Sequence, residues 1–477
     1  MTAAGPSAGT HRGLTLLAVC AGAFMATLDT SIVSINLPPM ARDLQVSLPA
    51  ISWVMQAYLM ANASLLLSSS QMGDCRPPGR VFLAGMAVFA LASAACGLSS
   101  RIWQLLAARA LQGVGASLML GTAPKIITVL YQEGERGLPF GLFSTAFASG
   151  VTVGAPLGGF IAARWGWPWI FFFNLPLAGL ALAVSGRSLV LLAGAARSGR
   201  AIDWRGGLLF TLTIALLLWS LSQVRTQGWR HPAIWLALGG AGVVLALLLL
   251  LERRQPWPLL PGRLWLNRAF LLGAGGVVLT FGAVMGTFFL LPFYLEEIFH
   301  LPLQTVGWLL AVVSLSNALV SPLGGLCGDR WGNMAVLRLG ALLILAGLTA
   351  LWWWGPYASL GHLMVIFAIT GMGFGLFQAP NLNDMLQGVK TEVLGLAAGT
   401  NAVLKNLGAL LGIACLVTVI TWGQASPPAL RTPQCLQWSC FQRAFLAAVC
   451  LAGLNVVINL LPRRRPAALP RQEERQE

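Results

Sequence analysis

Gly13 to Pro39 reads GLTLLAVCAGAFMATLDTSIVSINLPP. The run is long and apolar enough to cross a bilayer, which takes about 20 residues, yet it carries a carboxylate, Asp29. By helical rise Asp29 sits roughly 14 Å from the Pro38 end and about 24 Å from the Gly13 end. A charged Asp at that depth costs about 2.5–3.5 kcal/mol on insertion scales, so it must face protein or water rather than lipid. Helical spacing adds Gly22, Met25, Ile32 or Val33, and Asn36 to its face. One side of this helix is therefore small or polar and needs other helices around it.

The remaining sequence supplies them. Of 477 residues, 57% are hydrophobic and 9% charged, with a mean hydropathy of +0.75; a soluble domain carries about 25% charged residues. The chain reads as an all-α polytopic membrane protein. Met1 to Arg12 is too short and too weakly charged for a signal peptide, so the first helix is expected to be retained. Fourteen spans are expected, at 13–38, 50–72, 81–99, 102–127, 138–162, 169–192, 206–224, 233–251, 269–294, 303–327, 334–354, 361–385, 394–421 and 441–461.

The net charge of +15 does not make this a nucleic-acid binder. Basic residues sit singly or in pairs between apolar runs, with one cluster, Arg463 to Arg465, after the last; that is the pattern of cytoplasmic loops, not a basic stripe. With the N-terminus inside, only Arg42, Arg101, Arg164, Arg225, Arg230, Arg431 and Arg443 of the 30 basic residues fall outside, and Arg109, Lys125 and Lys405 fall within spans. The bias places both termini in the cytoplasm. Trp165, Trp167, Trp169 and the run Trp352 to Trp354 fall at outer ends, as an aromatic belt.

SSSQMGDCRPPGRVFLAG (68–85) is echoed by LGGLCGDRWGNMAVLRLG (323–340). Each places an Asp and basic residues in a short cytoplasmic loop in the same orientation, the mark of a parallel repeat of six-helix halves. The expected organisation is a cytoplasmic N-terminus (1–12), a first bundle (13–192), a linker with two extra helices (193–268), a second bundle (269–461) and a cytoplasmic tail (462–477).

Arg109 is the second intramembrane charge, about 10 Å below the outer surface if its helix begins near Ile102. It is close enough in depth to Asp29 for the two to meet, and Gln112 and Gly113 share its face. Two readings are open: a buried ion pair holding helices together, or a carboxylate whose protonation is set by the opposing pulls of burial and a guanidinium. The second requires Asp29 to be wet, protein-facing and titratable. Lys405 either lies about 16 Å into its helix or snorkels to the headgroups. Lys125 and Asp384 lie near cytoplasmic ends, and Glu296 and Glu297 near an outer end, where solvated or interfacial placement is the default. In SGVTVGAPLGGFIA, Gly150, Gly154 and Gly158 recur every fourth residue with Pro156 and Gly159 among them, a ridge that lets another backbone approach. Most of the eight Cys lie in apolar runs as small hydrophobes; Cys435 and Cys440 share a polar loop and would pair in an oxidising compartment. His11, His231, His300 and His362 show no metal-ligand spacing, and no GxxxxGK[ST] phosphate loop is present. Neither a metal, a cofactor nor an enzyme activity is expected.

Taken in order, several stretches resemble the major facilitator superfamily, in particular its fourteen-helix drug:proton antiporter branch. LDTSIVSINLP is similar to that branch's first-helix motif, with Asp29 at the acidic position; RALQGVGAS to its fourth-helix motif, carrying Arg109, Gln112 and Gly113; and SGVTVGAPLGG to its fifth-helix antiporter motif. WGWPWIFFFNLP looks like the opening of helix six, and IDWRGGLL and PLLPGRLWLNRAF fit the ends of the inserted helix pair. The likeness covers about Gly13 to Leu461. It departs at Ser70, at CRPPGR after Asp74, at Ala155-Pro156 and at Lys405-Asn406.

The resemblance implies two six-helix bundles rocking around a central site, with spans seven and eight peripheral. It implies proton coupling through Asp29 and Arg109, and cytoplasmic gate loops at Asp74, Arg76, Arg80, Gly325, Asp329, Arg330 and Gly332. Met25, Asn36, Tyr58, Gln112 and Lys405 are the candidate lining of a substrate cavity, and Gly150, Gly154, Pro156, Gly158 and Gly159 the packing motif. The implied activity is proton-driven efflux of small lipophilic compounds across the cell (inner or plasma) membrane, by a monomer needing no cofactor beyond the proton gradient. One deep acid against one or two deep bases argues against a dicationic substrate. Alternatives are an importer, or an exporter of one metabolite without proton antiport, and more remotely a membrane-embedded receptor or enzyme.

Overall fold

Each apolar run becomes a helix, and the breaks fall where backbone chemistry requires them. The computed structural model describes residues 6–132, 135–191, 204–227, 231–252, 267–387, 394–421 and 438–461. In order these form α1 (Pro6–Asp43), α2 (Leu48–Cys75), α3 (Pro78–Gly97), α4 (Ile102–Leu130), α5 (Gly137–Trp165), the short α6 (Pro168–Phe172), α7 (Asn174–Leu191), α8 (Trp204–Gln227) and α9 (Pro232–Glu252). They continue as α10 (Arg268–Glu297), α11 (Leu303–Trp331), α12 (Asn333–Trp354), α13 (Leu360–Leu386), α14 (Leu394–Thr421) and α15 (Trp438–Leu460). Among the described residues there is no strand, and twelve helices are long and apolar enough to cross a membrane. Pro168–Val184 and Arg205–Leu221 are shorter apolar helices, at the places where spans six and seven are expected.

Gly166 ends α5 with φ 89°, and Gly332, with φ 86°, is the single residue between α11 and α12. A side chain at either would be strained. Asn267 caps α10 by accepting from the Ala269 N–H at 2.9 Å, and Ser359 and His362 close a reciprocal cap on α13.

The helices pack in two sets with the same neighbour order. In the first set α1 lies against α5 and α7, α4 against α2 and α3, and α3 against α7. In the second, α10 lies against α14 and α15, α13 against α11 and α12, and α12 against α15.

The α1–α5 contact shows how small residues decide this packing. A Cβ at Gly154 would stand 2.6 Å from Ser31 Cβ and 2.9 Å from Leu28 O, and one at Gly150 would stand 2.5 Å from Phe24 O. Hydroxyls of α1 use the close approach: Thr27 Oγ1 donates to Phe147 O at 2.9 Å and Ser31 Oγ to Val151 O at 2.8 Å. Gly159 faces the other way, toward Leu303 of α11. Gly154→Val is therefore expected to destabilise the protein by about 1–3 kcal/mol through overpacking, read as a fall in the thermal midpoint in detergent. An unchanged midpoint would contradict this packing.

Three seams join the two sets. At the end that the sequence places outside, α5 meets α11, where a Cβ at Gly307 would lie 2.7 Å from Ala155 O, and Arg42 of α1 pairs with Glu296 of α10. Toward the other end, Leu67 of α2 packs on Val403 of α14, with Phe210 of α8 against both. α8 also receives a hydrogen bond at Leu221 O from Thr418 of α14, at 3.3 Å. The inserted pair is thus not peripheral as a unit. α9 packs chiefly on α8 and exposes Leu236 and Val243, whereas α8 lies across the α2–α14 seam.

Arg42, read from sequence as lying outside, and Glu296, read as solvated or interfacial at an outer end, are partners across a seam. Their side chains remain 54% and 23% exposed, so the pair contributes at most about 1 kcal/mol. Glu296→Gln is expected to raise thiol-reagent labelling of a cysteine placed at Leu303, on the α5–α11 seam, by up to about fivefold. An unaltered rate would mean the pair does not hold the seam shut.

The expected aromatic belt divides in the same way. Trp165, Trp169 and Trp353 are exposed, but Trp167 is buried and donates through Nε1 to Asp43 Oδ2 at 2.8 Å. Cys435 lies outside the described residues.

A buried charge cluster as candidate functional site

Asp29 must find donors inside the protein, and two helices bring three of them. Arg109 Nη1, from α4, donates to Oδ2 at 2.5 Å. Gln112 Nε2, one turn further along α4, and Asn174 Nδ2, at the start of α7, donate to Oδ1 at 2.8 and 2.9 Å. Asp29 is 1% and Arg109 0% exposed. A carboxylate so deeply buried is tolerable only with a countercharge and hydrogen bonds on both oxygens.

The guanidinium is held as firmly. Its Nε donates to Val54 O at 3.1 Å, and Nη1 also donates to Gln112 Oε1 at 2.6 Å. The Tyr58 ring lies under Arg109 Cζ at 4.4 Å from its centroid, and Phe171 approaches at 5.9 Å. Tyr58 is fixed by donating its hydroxyl to Ala26 O at 3.1 Å, and Gln112 by donating to Ser93 Oγ of α3 at 2.8 Å. Arg109 Nη2 alone has no partner among the described residues. Helices α1, α2, α3, α4 and α7 thus meet at one carboxylate. Moving any of them changes the donors around Asp29.

Asn174 and Ser93 escaped the sequence reading. Asn174 had a signal: an amide between FFF and LP in an apolar run must be satisfied inside the protein. Ser93, among alanines on α3, had none.

The sequence required Asp29 to face protein or water, and the proton-carrier reading required it to be wet; in this arrangement it is protein-facing and sealed, paired with Arg109. Met25, Asn36, Tyr58 and Gln112 are likewise buried between helices rather than lining an open space; Asn36 Nδ2 donates within α1, to Ile32 O at 2.8 Å. Lys405 belongs to the second helix set and does not reach for the headgroups: its Nζ donates to Gln378 Oε1 at 3.1 Å. Of the loop residues, Arg76, Arg80, Arg330 and Gly332 are exposed, Gly325 is half-buried, and the Asp74 and Asp329 side chains lie outside the described residues.

Comparison with known proteins places this geometry. The family model of the Major Facilitator Superfamily matches residues 19–413. The chain is 31% identical over 422 residues to the puromycin resistance protein pur8 of Streptomyces alboniger, covering 86% of this chain and 82% of that one. It is 29% identical over 407 residues to the riboflavin transporter RibZ of Clostridioides difficile (strain 630), covering 85% and 87%. Among solved structures, a bacterial homologue of the human lysosomal transporter Spinster, inward-facing and unoccupied, superposes with a TM-score of 0.67 at 12% identity, covering 96% of this chain and 97% of that one. A family match of this extent, on a chain whose described residues include twelve helices long and apolar enough to cross a membrane, with a charge cluster sealed among four of them and α7, identifies the protein as a multi-pass cell-membrane transporter of the major facilitator superfamily.

Proposed function

We propose that this transporter exports small lipophilic compounds in exchange for protons, by alternating access, and belongs to the fourteen-helix drug:proton antiporter branch. Asp29 is the proton carrier and Arg109 its counter-ion. The observation that carries the reading is the Asp29 cluster. A carboxylate held by a guanidinium and two amides from α4 and α7 gives a different helix arrangement when protonated than when charged, because protonation removes the countercharge interaction. A purely structural ion pair is a weak source of stability in this setting, and the resistance named for pur8 agrees with export.

In this reading α6–α7 and α8 complete fourteen spans, with both termini cytoplasmic. Residues 13–192 and 269–461 are the rocking bundles, joined through 193–268 and flanked by the short cytoplasmic segments 1–12 and 462–477. The loops around Asp74, Arg76, Arg80 and around Gly325, Asp329, Arg330, Gly332 are the cytoplasmic gates, and the Gly150–Gly159 ridge is the bearing on which α1 and α11 sit. The working unit is the monomer, with protons and a small-molecule substrate as partners.

Efflux by inverted vesicles energised with a pH gradient tests this directly. Collapse of the gradient by a protonophore should stop accumulation across a panel of substrates of differing charge. Accumulation that survives the collapse would favour the second reading, transport of one metabolite without proton exchange, which the name of RibZ supports.

A further inference from the structure

The second helix set holds a cation that the Asp29 cluster does not use. Lys405 lies about 16 Å along α14 from Leu394 by helical rise and is half-buried. Its Nζ donates to Gln378 Oε1 of α13 at 3.1 Å and stands 5.4 Å from the ring centroid of Phe281 on α10. Gln378 Nε2 in turn reaches Asn317 Oδ1 of α11 at 3.5 Å. Phe281 meets Phe374 edge to face, with centroids 5.0 Å apart. Four helices converge here, and three of them, α10, α11 and α14, are those that touch the first set across the seams. The cluster therefore sits among the helices that reach the first set.

Its chemistry is one-sided. Among the described residues no carboxylate lies within ion-pair distance of Lys405, in contrast to Arg109. An ammonium has three N–H donors and Asn317 has two; of these, only the Lys405 bond to Gln378 is taken up by a described protein acceptor. Lys405, Gln378, Asn317 and Phe281 all keep partial exposure, while the Asp29 cluster keeps none. A cation at this depth with unfilled donors and aromatic walls lacks an anionic oxygen on a flat, apolar carrier.

We propose that Lys405, Gln378 and Asn317, walled by Phe281 and Phe374, form the substrate-recognition site, and that its ligand is an aromatic organic anion bearing a carboxylate or acidic phenol. The anionic oxygen takes the free donors of Lys405 and Asn317, and the ring lies against the phenylalanines. This deepens the export reading and rests on it for the direction of transport. Exchange of one inward proton for one outward monoanion would move two positive charges inward, so membrane potential and pH gradient would drive it together.

Binding to the purified full-length chain in nanodiscs of zwitterionic lipid, at uniform pH, tests the site with naphthoate and its uncharged isostere naphthamide. Wild type is expected to bind naphthoate about 10- to 100-fold more tightly than naphthamide, the range of a charge-assisted hydrogen bond. Lys405→Gln should lose that preference and Lys405→Arg keep it, which separates lost charge from lost folding. Equal binding of the two probes by wild type, no measurable binding of either, or a preference that survives in Lys405→Gln would each overturn the proposal. Because no gradient is applied, binding is read separately from proton-driven efflux, so the failure of one does not decide the other.

Discussion

Asp29→Asn is expected to reduce pH-gradient-driven efflux in inverted vesicles to the level of vesicles without the protein, while counterflow in the absence of a gradient persists. The asparagine keeps the size of the side chain and an oxygen that accepts from Gln112 and Asn174, which donate to Oδ1 in the native cluster. It cannot carry a proton between the two sides. It also leaves Arg109 buried without a countercharge, and removing one partner of a buried pair costs on the order of 3–5 kcal/mol. Val54 O, Gln112 Oε1 and the Tyr58 ring still hold the guanidinium, so the loss of stability should fall at the lower end. Full gradient-driven efflux by this variant would remove Asp29 from the mechanism.

The second large effect separates a clasp from a carrier. Asp29→Leu and Arg109→Met, taken singly, each strand a buried charge and should cost about 3–5 kcal/mol; combined, they replace the pair with apolar groups and should recover most of that loss. Transport should not recover with it. Thermal midpoints of the four proteins give the coupling, and vesicle efflux gives the function. A double variant that regains both stability and gradient-driven efflux would show that the pair only holds α1 to α4.

The fold was readable from the sequence because its signals are local. A bilayer sets the length of an apolar run, so apolar helix lies at each of the fourteen expected places; twelve of these helices are long and apolar enough to cross, while the sixth, broken into α6 and α7, and the seventh are shorter. The Gly150–Gly154–Gly158 spacing was readable for a related reason: residues four apart share a helix face, so a small-residue ridge specifies a close neighbour without naming it. The Asp29–Arg109 pairing followed from depth, since two charges at similar depth in an apolar medium have few other places to go.

What escaped depends on pairs distant in sequence. Asn174 is 145 residues from Asp29; its apolar surroundings say that the amide needs an internal partner but not which one. Glu296 read as solvated or interfacial because it sits at a helix end, and its partner Arg42, 254 residues away, was not legible. Apolarity marks α8 as a helix, yet its seat across α2 and α14 depends on Phe210 meeting Leu67 and Val403, a fit of shapes that hydropathy does not encode. Whether Asp29 is wet or sealed among protein donors stayed open for a different reason. An intramembrane acid can be satisfied by water or by protein donors, and sequence alone does not say which arrangement of the helices is populated.

In the proposed exchange the charge state of Asp29 is the point on which transport turns: the sealed cluster would have to open, exchange a proton and close again. Infrared difference spectroscopy of the protein in lipid, with the bathing solution stepped between acid and alkaline pH, observes this exchange at the carboxyl group itself. The predicted result is a reversible protonated-carboxyl band in wild type that is missing from Asp29→Asn. Identical difference spectra for the two proteins would contradict the account.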